Sequence, residues 1–274
     1  MRETQLPPEG LLRLTQTGYQ VNITDYISDS FNILGKHAGG FVGFCLLASL
    51  LVIVGMVFAM FIPFVGHFLI FASAFALFAG MLTATHHIVR EGTSNFGDFF
   101  KGFQKFVPFV LITLFLTVIL FLVTAGMGGI FYLFGDFSAE GLERPEEFLS
   151  LFYTIEPALN AFLIVSAVIY MYFSTIYFLV IPLILFQNLS LWKAMEVSRK
   201  VVMKNFWPTL GLSLLLNLMI SISGIIVIGY LVSYPISQIA TYLYYNHLVE
   251  QAGIAGGDSF MSFDEDAPLD AGLL

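Results

Sequence analysis

The chain has 274 residues, 58% of them hydrophobic and only 11% charged, with a mean hydropathy of +0.86. Soluble domains carry about 25% charged residues, so this composition excludes an ordinary water-soluble domain and asks for lipid as the solvent. The net charge of −8 gives no basic surface of the kind nucleic acids need, and a single cysteine, Cys45, excludes an intramolecular disulfide.

In chain order, residues 1–21 contain Pro7, Pro8 and Gly10 and read as a solvated N-terminal extension. They hold no continuous apolar stretch and no small-residue cleavage site, so they are expected to be retained. Residues 22–36 set Ile23, Ile27, Phe31 and Leu34 on one helical face and Asp25, Asp29, Asn32 and Lys36 on the other. That segment is too short and too polar to span, which predicts an interfacial helix. Membrane spans follow at 41–62 and 67–89, joined by a tight turn at Pro63 and Gly66. Each apolar run is near the ~20 residues that cross about 30 Å of hydrocarbon. A second interfacial segment, 94–106, has Phe96, Phe99, Phe100 and Phe103 on one face and Asp98, Lys101 and Lys105 opposite. A span at 108–134, an acidic extracytoplasmic loop at 135–157 and a span at 158–186 come next, the last one carrying Pro182. The third interfacial segment, 189–204, sets Leu191, Met195 and Val202 against Lys193, Lys200 and Lys204, with Glu196 spaced to pair with Lys200. Ser198 falls on its apolar face, where a small residue permits close approach to a neighbour. Spans at 207–228 and 231–248 and an acidic, disordered tail at 251–274 complete the chain. The expected fold is all-α: a polytopic six-helix bundle, with 22–250 as its membrane domain and three amphipathic interfacial helices.

Lys36, Lys105 and Lys204 each end an amphipathic segment and precede an apolar hairpin, at offsets of 69 and 99 residues. The pattern predicts a pseudo-threefold repeat, with the acidic loop absorbing most of the difference. The expected spans put ten of the eleven Lys and Arg on the N-terminal side, and only Arg144 opposite. By the positive-inside bias, both termini are expected in the cytoplasm. The far side sets Arg144 against Asp136, Glu140, Glu143, Glu146, Glu147 and Glu156, a net of −5. Lys36, Lys101, Lys105, Lys193, Lys200 and Lys204 are expected to face lipid headgroups.

Small and hydroxyl residues form stripes along three spans: Ser73, Ala76, Gly80 and Ala84; Thr113, Thr117, Thr124 and Gly128; Ser213, Asn217, Ser221 and Gly224. Such stripes let helix backbones approach closely. The alternative is a cavity for a polar or amphiphilic ligand, lined by Thr113, Thr117, Thr124, Ser213, Asn217, Ser221 and Gln238, with Thr241 and Tyr245 beside them. No Asp, Glu, Lys or Arg sits deep in an expected span, which weakens an ion-coupled carrier. His86 and His87 are adjacent, so they diverge by about 100° on a helix, and no HxxxH, HExxH or CxxC spacing occurs. No metal, cofactor or catalytic set is expected.

The segment IPLILFQNLSLWKAMEVSRKVVMKNFWPTLGLSLLL, with Pro182, Ala194, Ser198, Lys204, Phe206 and Trp207, together with Gly229 and Pro235 further on, resembles bacterial multi-pass membrane families. These are related to the membrane domain fused to some glycerophosphodiester phosphodiesterases and to its uncharacterised stand-alone relatives. Gln187 stands where those families often carry an acidic residue. The resemblance covers about residues 180–246. It implies a six-helix protein of the bacterial inner membrane concerned with envelope or lipid homeostasis; the phosphodiesterase activity does not transfer, because its catalytic domain is not in these residues. The expected function is a non-enzymatic scaffold or accessory subunit, the alternative a carrier or channel-like protein for a lipid or small amphiphile. The expected partners are the bilayer, other membrane proteins or a second copy of the chain.

The topology is tested by single-cysteine labelling in a Cys45→Ser background. Cysteines at Glu143 and Asp264 are expected to react from opposite sides of the membrane; reaction from one side rules out six crossings.

Overall fold

A computed structural model describes Leu11, Leu14 and residues 18–134, 145–224 and 227–252. Of the described residues, 89% are helical, and none is in a strand. The helices are α1 (Ile23–Ala59), α2 (Pro63–Glu91), a 3-10 helix (Phe96–Lys105), α3 (Phe106–Phe134), α4 (Pro145–Ile176), α5 (Val180–Phe186), α6 (Leu191–Lys204), α7 (Phe206–Ser223) and α8 (Val227–Gln251). Among the described residues, five stretches are long and apolar enough to cross a membrane: Ile23–Ala59, Val65–Glu91, Phe96–Gly129, Leu159–Phe186 and Phe206–Ser223. The sixth expected span is not among them. α8 has the length, at 25 residues, but Ser233, Ser237, Gln238, Thr241, Asn246 and His247 dilute its apolar character.

The interfacial segment 22–36 and the first span form one helix, α1, broken in its backbone at His37 (φ −121°, ψ 22°). Gly35, Gly39 and Gly40 flank the break and weaken the helix there. Lys36 thus ends the first amphipathic segment, as Lys105 ends the 3-10 helix and Lys204 ends α6. The second half of the expected acidic loop is helical, since α4 begins at Pro145; residues 135–144 lie outside the described residues, as does the tail from 253 onward. The expected 158–186 span is interrupted at residues 177–179, where α4 ends and α5 has yet to begin. Pro182 explains the position: it lacks an N–H, and its ring crowds the carbonyl four residues earlier, at Phe178.

The chain divides into two compact units. In the Thr113–Phe173 unit, Gly126 of α3 lies under Phe162 of α4: a Cβ at Gly126 would stand 3.1 Å from the Phe162 ring. Leu122, Ile164 and Val168 there are more than half exposed, as a lipid-facing surface requires.

The other unit holds the rest of the described chain around two apolar clusters, and α8 contributes to both. Ala240, Tyr244 and Leu248 join α5, α6 and α7 with Leu11, Leu14 and Tyr19. Ile236 and Ile239 join α1, α2 and Phe99. The N-terminal extension is therefore packed at Leu11, Leu14 and Tyr19, where solvation was expected.

The closest helix contact joins α2 to the 3-10 helix. A Cβ on Gly80 would lie 1.7 Å from the Phe99 carbonyl oxygen, and one on Gly102 would lie 2.1 Å from that of Ala76. Thr83 Oγ1 sits 2.8 Å from the carbonyl oxygens of both Gly80 and Asp98. The stripe Ala76, Gly80, Ala84 is thus a seam against the 3-10 backbone. That seam sustains ten residues of a conformation uncommon beyond three or four. The seam also corrects the expected faces: Asp98 is buried beside Phe99 and Gly102, while Phe96 and Phe103 are exposed.

Gly80→Ala and Gly102→Ala are each expected to lower the thermal midpoint in detergent, by about 1–3 kcal/mol or more of overpacking. Gly128→Ala, with open space around its Cβ position, is expected to leave the midpoint unchanged or raise it. Equal effects at all three positions would dissolve the seam.

Candidate functional site

α8 ends in the run TYLYYNHLVEQ, residues 241–251. This run is aromatic and polar at once, and it is largely buried. Each buried polar tip must therefore find a partner; Thr241 and Asn246 bond within α8, and the tyrosines and His247 reach other elements. The Tyr242 hydroxyl is 2.8 Å from Nδ1 of His86 on α2. The Tyr244 hydroxyl lies 2.9 Å from both the Tyr19 hydroxyl and Thr209 Oγ1 of α7. Tyr19 in turn donates to the Val201 carbonyl of α6 (3.3 Å). Gln187, between α5 and α6, donates to the Tyr245 hydroxyl (2.9 Å). His247 Nδ1 meets the Tyr26 hydroxyl of α1. Gln20 and Gln251 exchange two hydrogen bonds of 3.1 and 3.3 Å. The rings pack too: Phe186 stacks between His86 and Tyr245, at 5.0 and 5.4 Å. Burial, partly offset by the bonds to Tyr244 and Thr209, raises the Tyr19 pKa, so the phenol is neutral and free to donate.

No protein-family model, curated protein or solved structure matches the chain. Its candidate site therefore rests on this geometry.

Beside the hub, α2 and the 3-10 helix share a charged cluster. Lys101 Nζ is 2.9 Å from Asp98 Oδ1 and 3.2 Å from His87 Nε2. An ammonium donating to Nε2 leaves Nδ1–H to donate to Glu91 Oε1, at 3.0 Å. The Asn95 amide donates to the other Asp98 oxygen (2.7 Å). Among the described residues, no three His, Cys, Asp or Glu side chains converge as metal ligands would.

Ser198 closes the α4–α5 break. Fully buried, it donates to the Ile176 carbonyl (2.7 Å) and accepts from the Leu179 amide (3.3 Å). Both backbone groups lie at the interruption upstream of Pro182. The chain then reverses through Asn188 at φ +47°, a left-handed conformation that asparagine tolerates.

The candidate cavity residues are divided between the two units. Thr113, Thr117 and Thr124 belong to the Thr113–Phe173 unit. There Thr117 and Thr124 donate to their own helix, at the Thr113 and Phe121 carbonyls (2.8 and 2.9 Å). In the other unit Ser213 is buried, and Asn217 is exposed and donates to the Ser213 carbonyl (2.8 Å). Ser221 is exposed, whereas Gln238 is 1% exposed. Of the six lysines, Lys101 is held in the charged cluster, and Lys200 bonds Glu196 at 2.7 Å. That hydrogen bond lowers the Glu196 pKa. Lys36 and Lys204 are exposed, and Lys105 and Lys193 half-buried.

Ser198→Ala would strip partners from two buried backbone groups and is expected to cost about 1–3 kcal/mol, read as a lower thermal midpoint in detergent. Thr117→Ala, which removes a hydroxyl bonded only within its own helix, is expected to change little. If Ser198→Ala were as mild as Thr117→Ala, Ser198 would not hold the break.

Proposed function

We propose that the protein is a non-enzymatic integral membrane scaffold or accessory subunit. It resides in the bacterial cytoplasmic membrane with both termini in the cytoplasm, and α8 serves as a sixth crossing. The observation that carries this reading is the hub on α8. Its hydroxyls, amides and imidazoles are hydrogen-bonded to α1, α2, α7 and the N-terminal segment, and through Tyr19 the network reaches α6. These groups are engaged in holding a shape rather than presented to a substrate. The three lysines that end amphipathic segments support a threefold modular plan, and the resemblance over 180–246 supports a role in envelope or lipid homeostasis.

A second reading, a carrier for a lipid or small amphiphile, is favoured by one observation. The Gln238 side-chain oxygen is buried and has no hydrogen-bond partner among the described residues. Replacing an unsatisfied buried polar group with an apolar one is neutral or stabilising unless that group binds something. Under the scaffold reading, Gln238→Leu keeps or raises the thermal midpoint, and native purification with mass spectrometry recovers a partner membrane protein in fixed ratio with the chain. Recovery of the chain alone with one tightly held amphiphile, lost in Gln238→Leu, would replace the scaffold with the carrier.

A further inference from the structure

The three amphipathic segments are alike in pattern and unlike in charge. Residues 23–36 carry Asp25, Asp29 and Lys36, a net of −1; the 3-10 helix carries Asp98, Lys101 and Lys105, a net of +1. α6 carries Lys193, Arg199, Lys200 and Lys204 against Glu196, a net of +3. In the 3-10 helix Lys101 is held by Asp98 and His87, as Lys200 of α6 is by Glu196, so the pair-corrected charge of α6 stays at +3 from Lys193, Arg199 and Lys204.

α6 has two chemically distinct faces. Leu191, Ala194, Val197, Ser198 and Val201 are buried. The outward face bears the cations and Trp192, which is 70% exposed. Just past its C-terminal end stands Trp207, 77% exposed. These are the only two tryptophans in the sequence. An indole has an apolar body and one N–H donor, and its favoured place is the boundary between headgroups and acyl chains. A cationic strip between two such rings is complementary to a layer of lipid phosphates.

Building on the membrane reading above, we propose that the outward face of α6 is a docking surface for an anionic phospholipid headgroup layer. Trp192 and Trp207 seat the two ends of the face at the headgroup–acyl boundary, and Lys193, Arg199 and Lys204 meet the phosphates. Anionic-lipid recognition is thereby concentrated in the third of the three segments.

The two tryptophans are the probe. The full chain is reconstituted in phosphatidylcholine vesicles, and in vesicles of equal parts phosphatidylcholine and phosphatidylglycerol. Lipids brominated near the carbonyl are expected to quench the fluorescence more strongly than lipids brominated near the chain end or acrylamide in the water. Phosphatidylglycerol is expected to increase that shallow quenching and shift the emission to shorter wavelength; high salt is expected to reverse both changes. Trp207→Phe and Trp192→Phe assign the signal to each end. The Lys193→Gln, Arg199→Gln, Lys204→Gln variant is expected to lose the phosphatidylglycerol response while resisting alkaline carbonate extraction. Strongest quenching by acrylamide or by the deep bromines overturns the proposal, as does a wild-type signal indifferent to phosphatidylglycerol. Extraction of the wild-type chain by carbonate would instead overturn the membrane reading itself.

Discussion

Polar groups that cannot reach water must be satisfied inside the protein, and α8 carries more of them than any apolar helix can hide unaided. The hub meets that demand by drawing α1, α2, α6, α7 and the N-terminal segment to one helix end. Hydrogen bonds of this kind gain in strength where the local dielectric is low, and they are costly to leave unmade. Tyr244 illustrates the economy: one hydroxyl, flanked by Tyr19 and Thr209, joins α8 to both the N-terminal segment and α7. The apolar clusters on either side of α8 then pack around a framework whose directions the polar contacts have set.

Two further constraints act on the backbone. At the α2 seam, glycine is required on both partners, because each would drive a Cβ into the other's main chain. The contact forces the following segment into the 3-10 form, which stacks Asp98 over Lys101 at i,i+3. At the α4–α5 break, a proline frees backbone groups and a serine 22 residues from Ile176 takes them up. A small residue at position 198 allows the approach of α6, and its hydroxyl makes that approach stable.

Local pattern made part of this readable. Apolar run length located the helices, and the lysines at 36, 105 and 204 marked the ends of the amphipathic segments. The proline at 182 pointed to an interruption, and the small face of α6 pointed to a close neighbour. What escaped did so for physical reasons. Asp98 was assigned to the face opposite the phenylalanines, and the close packing of the 3-10 helix on α2 buries it with Phe99. Asn217 and Gln238 resemble each other in sequence as polar residues of apolar helices, yet one is exposed and the other buried, since rotation about a helix axis is fixed by packing. The polar aromatic run near the end of α8 was visible as composition. Its partners Thr209 and Tyr19 lie 35 and 225 residues from Tyr244, and no periodicity encodes pairing at that distance.

That separation has a consequence for biogenesis. Tyr19 and Gln20 leave the ribosome 225 and 231 residues ahead of their partners Tyr244 and Gln251. The earlier helices must therefore insert while Tyr26, His86 and Thr209 still lack their partners on α8. Completion of α8 is the event that supplies these partners. A chain cut short before α8 would leave Tyr26, His86 and Thr209 without these partners.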